Sequence, residues 1–312
     1  MIELTKKVLL AFDDTLSSRQ AVEYLKCVFG RREDFEVVVC CIARRPPAYL
    51  LTSGGARSLI QREKKLEEVI QANLDQAQKI TERGKDLLCK VFPEKAIETK
   101  VFLQHGDLAY EIIREAEGGN YDAIVIGRRG LSRLTQGFLG SVSYKVAEHA
   151  RVPVWMVAGK AWNRKVLVAV DLEEPGFRVV DHVAFIFSKD PEVEITLFHV
   201  VYPFAGADPR TETLKEVESR LAEEEEEAAR SFFEKARTVF EEGGFPAERV
   251  RVKIVRSIFG PAAAILKEAR RGNYGTVVVG RRGRGGFKGL LLGSVSTKII
   301  ATLKDRAVWL VS

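Results

Sequence analysis

The sequence has few of the residues that build disulfide frameworks and metal centres. Only four cysteines and four histidines occur among its 312 residues. The cysteines form no Cys-x-x-Cys pair, and no histidine has metal-ligand spacing to a cysteine or to another histidine. We therefore expect free, reduced thiols rather than a redox centre, and we predict no metal site.

Long apolar runs and strong net charge are lacking as well. No run approaches the length of a membrane span, and the initial segment MIELTKKVLLAFDD lacks the apolar stretch and cleavage site of a signal peptide. The net charge of +6 is modest, and no basic stripe interleaved with aromatic residues accompanies it. We therefore expect a cytoplasmic protein without a membrane or nucleic-acid partner. Its 46% hydrophobic and 29% charged residues are typical of globular proteins.

A glycine-rich stretch occurs twice in the chain. Residues 124–143 read IVIGRRGLSRLTQGFLGSVS, and residues 277–296 read VVVGRRGRGGFKGLLLGSVS. Gly127 recurs as Gly280 and Gly140 recurs as Gly293, in both cases 153 residues later. Such a long period indicates a duplicated domain rather than a solenoid. We therefore predict two domains, residues 1–158 and 165–312, joined by the stretch AGKAWNRK.

Each half alternates short apolar runs with helical segments. The runs of the first half begin with KKVLLAF and end with VPVWMVA, and the second half repeats the order from KVLVAVD to AVWLVS. This alternation predicts a parallel sheet with helices on both faces. The predicted fold class is therefore α/β, with two tandem doubly wound domains. Ser17 or Ser18 is expected to cap the first helix.

The residues that follow the first and fourth strands point to a ligand crevice. In an open parallel sheet, ligands bind beyond the carboxyl ends of the strands, where the strand order reverses. Asp13 follows the first strand, and Gly127 ends the fourth. If these strands are neighbours, both residues line one crevice.

The chemistry of the glycine loop predicts phosphate as the ligand. Gly127 and Gly130 permit a close approach to the backbone, while Gly140 and Ser141 lie at a helix start, where N–H groups and the helix dipole attract anions. Ser143 adds a second hydroxyl. The alternative is a plain connection in which Ser141 is an ordinary N-cap. Four arginines add positive charge unless their side chains point to water: Arg128, Arg129, Arg281 and Arg282.

Two other phosphate motifs fit the sequence less well. A Walker A loop needs Gly-Lys-Ser or Gly-Lys-Thr, which neither copy has. The dinucleotide motif Gly-x-Gly-x-x-Gly belongs after the first strand, where this chain reads FDDTLSS.

The spacing of the loop resembles that of the universal stress protein family. Its ATP-binding members carry a glycine, two residues, a second glycine, nine residues, and then glycine followed by serine or threonine. Both halves carry this pattern, so the resemblance covers nearly the whole chain. It implies a five-stranded parallel sheet of order 3-2-1-4-5 in each half and an adenine nucleotide across strands one and four. The matching residues are Gly127, Gly130, Gly140, Ser141, Gly280, Gly283, Gly293 and Ser294.

The resemblance implies further contacts to the nucleotide. Asp13 and Asp171 match the family's acidic residue after the first strand, and we expect Asp13 to contact the adenine or ribose end. The alternative is that Asp13 caps the following helix. Ile42 and Val200 match the apolar residue that borders the adenine. The remaining predicted contacts lie at the two helix starts: Ser141, Val142, Ser143, Ser294, Val295 and Ser296.

The two halves depart from the family pattern in different places. The second half has Glu173 and Glu174 where the family has a hydroxyl, and these acids would repel phosphates that they face. The loop of the first half is less close to the family than that of the second. We expect at least one half to bind nucleotide, with the first half favoured.

No hydrolytic machinery is evident in the sequence. No lysine-serine pair holds a metal, no motif orients a water molecule, and no arginine finger or other catalytic residue stands out. We therefore expect an ATP-binding stress-response sensor or switch, with Mg bound through the phosphates and at most slow or partner-dependent hydrolysis. The alternative is an interaction or assembly protein that uses the fold without nucleotide. An adenylating enzyme would need a substrate-carboxylate site, which we do not find.

The fifth strand of each half is an apolar edge strand. VPVWMV and RAVWLV are equivalent, with Trp155 and Trp309 at matching places. Since exposed edges are a liability, we expect the two strands to pair with each other within one chain, as the family's dimers suggest. The alternative is that helices alone cover these edges. A further homodimer of chains is compatible with either arrangement.

Overall fold

The computed structural model describes residues 5–46, 56–128, 141–188, 190, 192–202, 212–282 and 292–312. Its internal contacts divide the chain into two compact units, Met1–Val157 and Ala158–Ser312. Each unit repeats the same order of strands and helices.

The first unit is a five-stranded parallel sheet with the order β3-β2-β1-β4-β5. The order 3-2-1-4-5 that the resemblance implied is therefore confirmed for this unit. A short 3-10 turn precedes the third strand. The elements, in chain order, are β1 (Lys6–Ala11), α1 (Leu16–Phe29), β2 (Phe35–Ala43), α2 (Ala56–Leu88), β3 (Ile97–Leu103), α3 (Leu108–Gly118), β4 (Ala123–Gly127), α4 (Ser141–His149) and β5 (Val154–Val157).

The second unit has the same topology, with all its strands parallel and in the order β8-β7-β6-β9-β10. Numbered within the unit, this order is again 3-2-1-4-5. The elements are β6 (Lys165–Ala169), α5 (Glu174–Phe187), β7 (Glu194–Val201), α6 (Glu212–Glu242), β8 (Val250–Arg256), α7 (Pro261–Arg271), β9 (Thr276–Gly280), α8 (Ser294–Thr302) and β10 (Ala307–Val311).

The central strands are buried on both faces, as their continuous apolar sequences predict. Val8, Leu9 and Leu10 of β1 have no exposed surface although their side chains alternate between the faces. Helices α1 and α2 pack beside each other, as do α3 and α4. Both faces of the sheet are thus covered, so a polar ligand can reach the sheet only at the ends of its strands.

The four cysteines all lie within the described residues, and none of them forms a disulfide. Cys40 and Cys41 lie buried on β2, whereas Cys27 and Cys89 are exposed. Burial raises the pKa of Cys40 to about 12 and that of Cys41 to about 11. Both buried thiols are therefore protonated at neutral pH and act as small apolar core residues. None of the described helices is long and apolar enough to cross a membrane.

Asp34, just before β2, makes the stability of the first unit depend on pH. Lys6 donates to its carboxylate at 2.6 Å and Arg32 donates at 2.9 Å. Burial would raise the pKa of Asp34, but these hydrogen bonds outweigh burial and hold the pKa at about 2. The ionised form is thus favoured by the fold.

We expect Asp34→Asn to lower the free energy of unfolding by about 2 kcal/mol at pH 7 and by little at pH 2. The stabilisation by the ionised Asp34 carboxylate is fully present above the ordinary aspartate pKa of about 4. It is lost as the pH falls through the pKa of Asp34 in the folded protein, about 2. Denaturant unfolding at both pH values measures it, with Glu33→Gln, an exposed neighbour, as the control. Equal losses at the two pH values would contradict this assignment.

Candidate functional site

The first and fourth strands of the first unit are neighbours, as the predicted crevice requires. Leu10 of β1 pairs with Val125 of β4, and Ala11 pairs with Ile126. The carboxyl ends of both strands therefore meet at one edge of the sheet, with β2 on the far side of β1. The strand order reverses here, where doubly wound folds bind their ligands.

The turn between β1 and α1 is built around Thr15. The Asp13 carboxylate accepts the Thr15 N–H at 3.2 Å and the Thr15 hydroxyl at 2.6 Å. Thr15 is the N-cap of α1, and its side-chain oxygen accepts the N–H of Ser18 at 3.4 Å. The expected cap at Ser17 or Ser18 is therefore wrong by two or three residues. Asp13, which is exposed, orients the cap without being the cap itself.

The second acid of this turn is paired with two arginines. Asp14 has a φ of 59°, a left-handed conformation that aspartate tolerates better than most residues. Its carboxylate accepts hydrogen bonds from Arg19 at 2.8 Å and from Arg83 of α2 at 3.1 Å. The hydrogen bond from Arg19 is the main cause of a lowered Asp14 pKa. This charge is therefore compensated at the edge of the site.

Gly127 is required by packing within the protein. A Cβ atom at this position would lie 2.2 Å from the Ser17 carbonyl oxygen and 2.6 Å from the Ser18 nitrogen. The close approach that we expected at Gly127 is thus made by the first turn of α1. This contact holds the turn that carries Asp13 against the end of β4.

The remaining predicted residues of the first unit lie around the same edge where the structure describes them. Gly130 and Gly140 lie outside the described residues. Helix α4 begins at Ser141 as predicted. Ser141 is exposed, whereas Val142 and Ile42 are half-buried and Ser143 is buried.

The second unit has the same neighbourhood of strands. Ala169 of β6 pairs with Val279 of β9, so Asp171 and Gly280 follow at one edge. Asp171 is half-buried. It lies directly beneath the first turn of α5, since a Cβ atom added at Gly176 would lie 2.1 Å from the Asp171 carbonyl oxygen. Val200, near the end of β7, is buried.

The two acids that depart from the family pattern differ in their surroundings. Glu173 is the exposed N-cap of α5, and its side chain makes no capping hydrogen bond. Glu174 accepts a hydrogen bond from Arg178 at 3.0 Å, one helical turn further on. The charge of Glu174 is therefore shared with a cation, which reduces the repulsion that we expected from this pair.

The start of α8 is tied to the end of β9. The Gly293 N–H donates to the Arg281 carbonyl oxygen at 2.9 Å, and the Ser296 hydroxyl donates to the Gly280 carbonyl oxygen at 2.7 Å. Gly293 is the N-cap, with φ −69° and ψ 155°, and offers no side chain to the first turn. The positive end of the helix dipole therefore lies at the carboxyl edge of the sheet without a side-chain cap.

The predicted hydroxyl groups of this turn differ in their availability. Ser296 is buried, and its proton is engaged by the end of β9. Ser294 is exposed and Val295 is half-buried. Gly283 lies outside the described residues. Among the described groups of α8, the exposed Ser294 hydroxyl and the first-turn N–H groups thus suit an anion best.

Two of the four arginines beside the loops do not simply point to water. Arg128 and Arg281 are only 5% and 8% exposed. Their backbone N–H groups continue the sheet hydrogen bonding by donating to the carbonyl oxygens of Val157 and Val311. Burial lowers the pKa of Arg128 to about 10, so it is protonated at neutral pH. Of the described arginines in this group, only Arg282 is exposed. Arg129 lies outside the described residues.

Sequence reasoning missed two parts of this edge. The capping role of Thr15 could have been found, because a threonine before a helical pattern is a common N-cap. Arg83 had no such signal, since it lies 69 residues from its partner Asp14 in the chain. Within the described residues, no group of three or more histidine, cysteine or acidic side chains could hold a metal ion.

The topology and the two equivalent edges define a tandem doubly wound α/β protein. The model of the universal stress protein family matches residues 5–158 and again residues 163–304. The chain therefore belongs to the universal stress protein family and contains two tandem copies of its domain.

Individual relatives agree with this assignment. A universal stress protein of Mycolicibacterium smegmatis is 31% identical over 180 residues, 56% of this chain and 57% of the relative. YxiE of Bacillus subtilis is 27% identical over 151 residues, 48% of this chain and 97% of that protein. The match thus spans little more than half of the first relative.

A solved structure resembles the whole chain. The crystal structure of a universal stress protein from Archaeoglobus fulgidus matches with a TM-score of 0.56, covering 99% of this chain and 97% of that one. Its sequence identity is 23%, so this likeness concerns the fold alone.

Proposed function

We propose that this protein binds ATP at the carboxyl edge of at least one of its two sheets. The observation that carries the proposal is the start of α8, which Gly293 leaves without a side-chain cap and which is bonded to the end of β9. The N–H groups of such a turn are well placed to donate hydrogen bonds to phosphate oxygens. Across the edge, Asp171 and its equivalent Asp13 would recognise the adenine or ribose end.

The proposed role is that of a stress-response sensor or switch. Binding of ATP would change the state of the protein, and any hydrolysis would be slow or dependent on a partner. A magnesium ion that accompanies the nucleotide would be held through the phosphates.

The second candidate function is an assembly protein that uses the fold without nucleotide. Gly127 and Ser296 favour it, because both have internal roles that explain their presence without a ligand. Mass spectrometry of small molecules released from the purified protein distinguishes the candidates. Release of an adenine nucleotide supports the first, whereas its absence, together with no binding of added ATP, supports the second.

We also propose, from the sequence, that β5 and β10 pair with each other within one chain. Each is the last strand at one edge of its own unit's sheet, and apolar edge strands need a cover. A homodimer of chains would add to this pairing. The proposed compartment is the cytoplasm, which suits four cysteines that form no disulfide.

We expect Asp13→Asn to weaken ATP binding to the first unit about tenfold, because a hydrogen bond to a charged group contributes about 1.5–3 kcal/mol. The asparagine oxygen still accepts the hydrogen bonds from Thr15, so the cap of α1 and the melting temperature should change little. Titration calorimetry measures the affinity, and Asp171→Asn is the matched variant of the second unit. If neither variant alters binding, these carboxylates do not touch the nucleotide.

A further inference from the structure

A cavity lies in the second unit, at the outer edge of its sheet beside β8. Its volume is about 800 Å³, which is within the range of small-molecule sites. It shares no residue with the described residues of the predicted nucleotide edge. Its apolar wall comes from β7, α6, β8 and the turn before α7: Phe198, Val201, Ala222, Val255, Ile258 and Phe259.

The charged residues around this cavity are mostly basic. Four basic and two acidic side chains line it. Lys253 donates to Glu268 at 2.6 Å, and Arg256 donates to Glu226 at 2.6 Å. Both pairs are therefore neutral overall. Lys267 and Arg271 are exposed and lie four residues apart, on one face of α7. The rim therefore favours an anionic group.

The first unit shows how the cavity arises. Helices α3 and α7 begin at Leu108 and Pro261, which are 153 residues apart, the same offset as the glycine loops. At this offset, Tyr110 and Glu111 of the first unit stand where the second unit has Ala263 and Ala264. Tyr110 is half exposed and packs against His149, whereas Glu111 is buried. The replacement of the buried Glu111 side chain by a methyl group therefore leaves space beside β8.

The same comparison shows a loss of negative charge. In the first unit, the Glu111 carboxylate accepts the His105 N–H at 3.1 Å and Asp107 caps α3. The second unit has Ala264 and Gly260 at these places. The second unit therefore lacks both carboxylates, and its rim is more positive than the equivalent part of the first.

The mouth of the cavity also exposes apolar surface. Ile258 and Phe259 are 74% and 79% exposed, where the first unit has His105 and Gly106. Two adjacent large apolar side chains in open water often mark a binding surface. A ligand that fits both features has an apolar body and an anionic head.

We propose that the second unit binds an amphipathic carboxylate in this cavity. Its apolar chain would lie against Phe259, Ile258 and Val255, and its carboxylate would lie beside Lys267 and Arg271. The first unit has no equivalent site for this ligand, because the buried Glu111 side chain fills the place and Glu111 and Asp107 bring negative charge to it. The proposal does not rest on nucleotide binding.

Titration of the full chain with dodecanoate, below its micelle-forming concentration, tests the proposal. We expect one dodecanoate per chain, binding that weakens as salt is added, and weaker binding of the uncharged analogue dodecanol. Lys267→Glu should weaken dodecanoate binding at least about tenfold, because it reverses one of the two head-group charges. Ala264→Glu should weaken dodecanoate binding as strongly, because it introduces the glutamate that the first unit has at the equivalent position, Glu111.

The matched control is Arg114→Glu, which changes the equivalent exposed residue of α3 in the first unit. It should leave dodecanoate affinity unchanged, and thermal melting shows whether each variant is folded. The proposal is overturned if the parent does not bind dodecanoate or binds dodecanol equally well. It is also overturned if Lys267→Glu leaves the affinity unchanged or Arg114→Glu lowers it equally.

Discussion

Gly293→Asp should weaken ATP binding to the second unit about a hundredfold while the unit stays folded, because like charges about 4 Å apart repel by about 4 kcal/mol at a protein surface. Aspartate is a preferred N-cap, and the φ of −69° at this position suits any residue. The new carboxylate would accept the first-turn N–H groups of α8 and would stand where the phosphates are proposed to bind. The backbone bond from residue 293 to Arg281 needs no glycine.

Gly293→Asn is the matched control for this variant. Asparagine has the same shape and caps a helix as well, but it brings no charge. We expect it to weaken ATP binding only about threefold to tenfold, through competition for the same N–H groups. Calorimetry gives the affinities, and thermal melting should show equal or higher stability for both variants. If the two variants bind ATP as the parent does, the phosphates do not lie at the start of α8.

Gly127→Ala should destabilise the first unit by about 3 kcal/mol or more, since overpacking against rigid atoms has few routes of relief. The added Cβ atom would lie 2.2 Å from the Ser17 carbonyl oxygen and 2.6 Å from the Ser18 nitrogen. Both are backbone atoms, so the first turn of α1 must move as a whole. Denaturant unfolding without nucleotide measures the loss.

The equivalent Gly280→Ala should be much milder, at about 1 kcal/mol. Its added Cβ atom would meet the Arg282 carbonyl oxygen at 3.0 Å and the Val179 Cγ2 atom at 3.7 Å, and nothing closer. The two variants share one motif position and one chemical change, so their difference isolates the contact with α1. Equal destabilisation by the two substitutions would show that this contact is not the reason for the glycine.

The sequence by itself determined the architecture of this protein. The constant offset between the glycine loops showed the duplication, and the alternation of apolar runs with helical segments showed a parallel sheet in each half. These inferences succeed because buried strands and amphipathic helices each leave a characteristic pattern of apolar residues within a short stretch of sequence. The motif then pointed to the edge where strands one and four end.

Only the tertiary structure decided what individual residues do at that edge. The contact of Gly127 with Ser17 joins residues 110 positions apart, and the pairing of Asp14 with Arg83 joins residues 69 positions apart. The cavity beside β8 likewise joins parts of the chain that are distant in sequence, since Phe198 of β7, Ala222 of α6 and Ala264 of α7 all line it. Such contacts depend on how whole elements pack, and a pattern of neighbouring residues carries no signal for them.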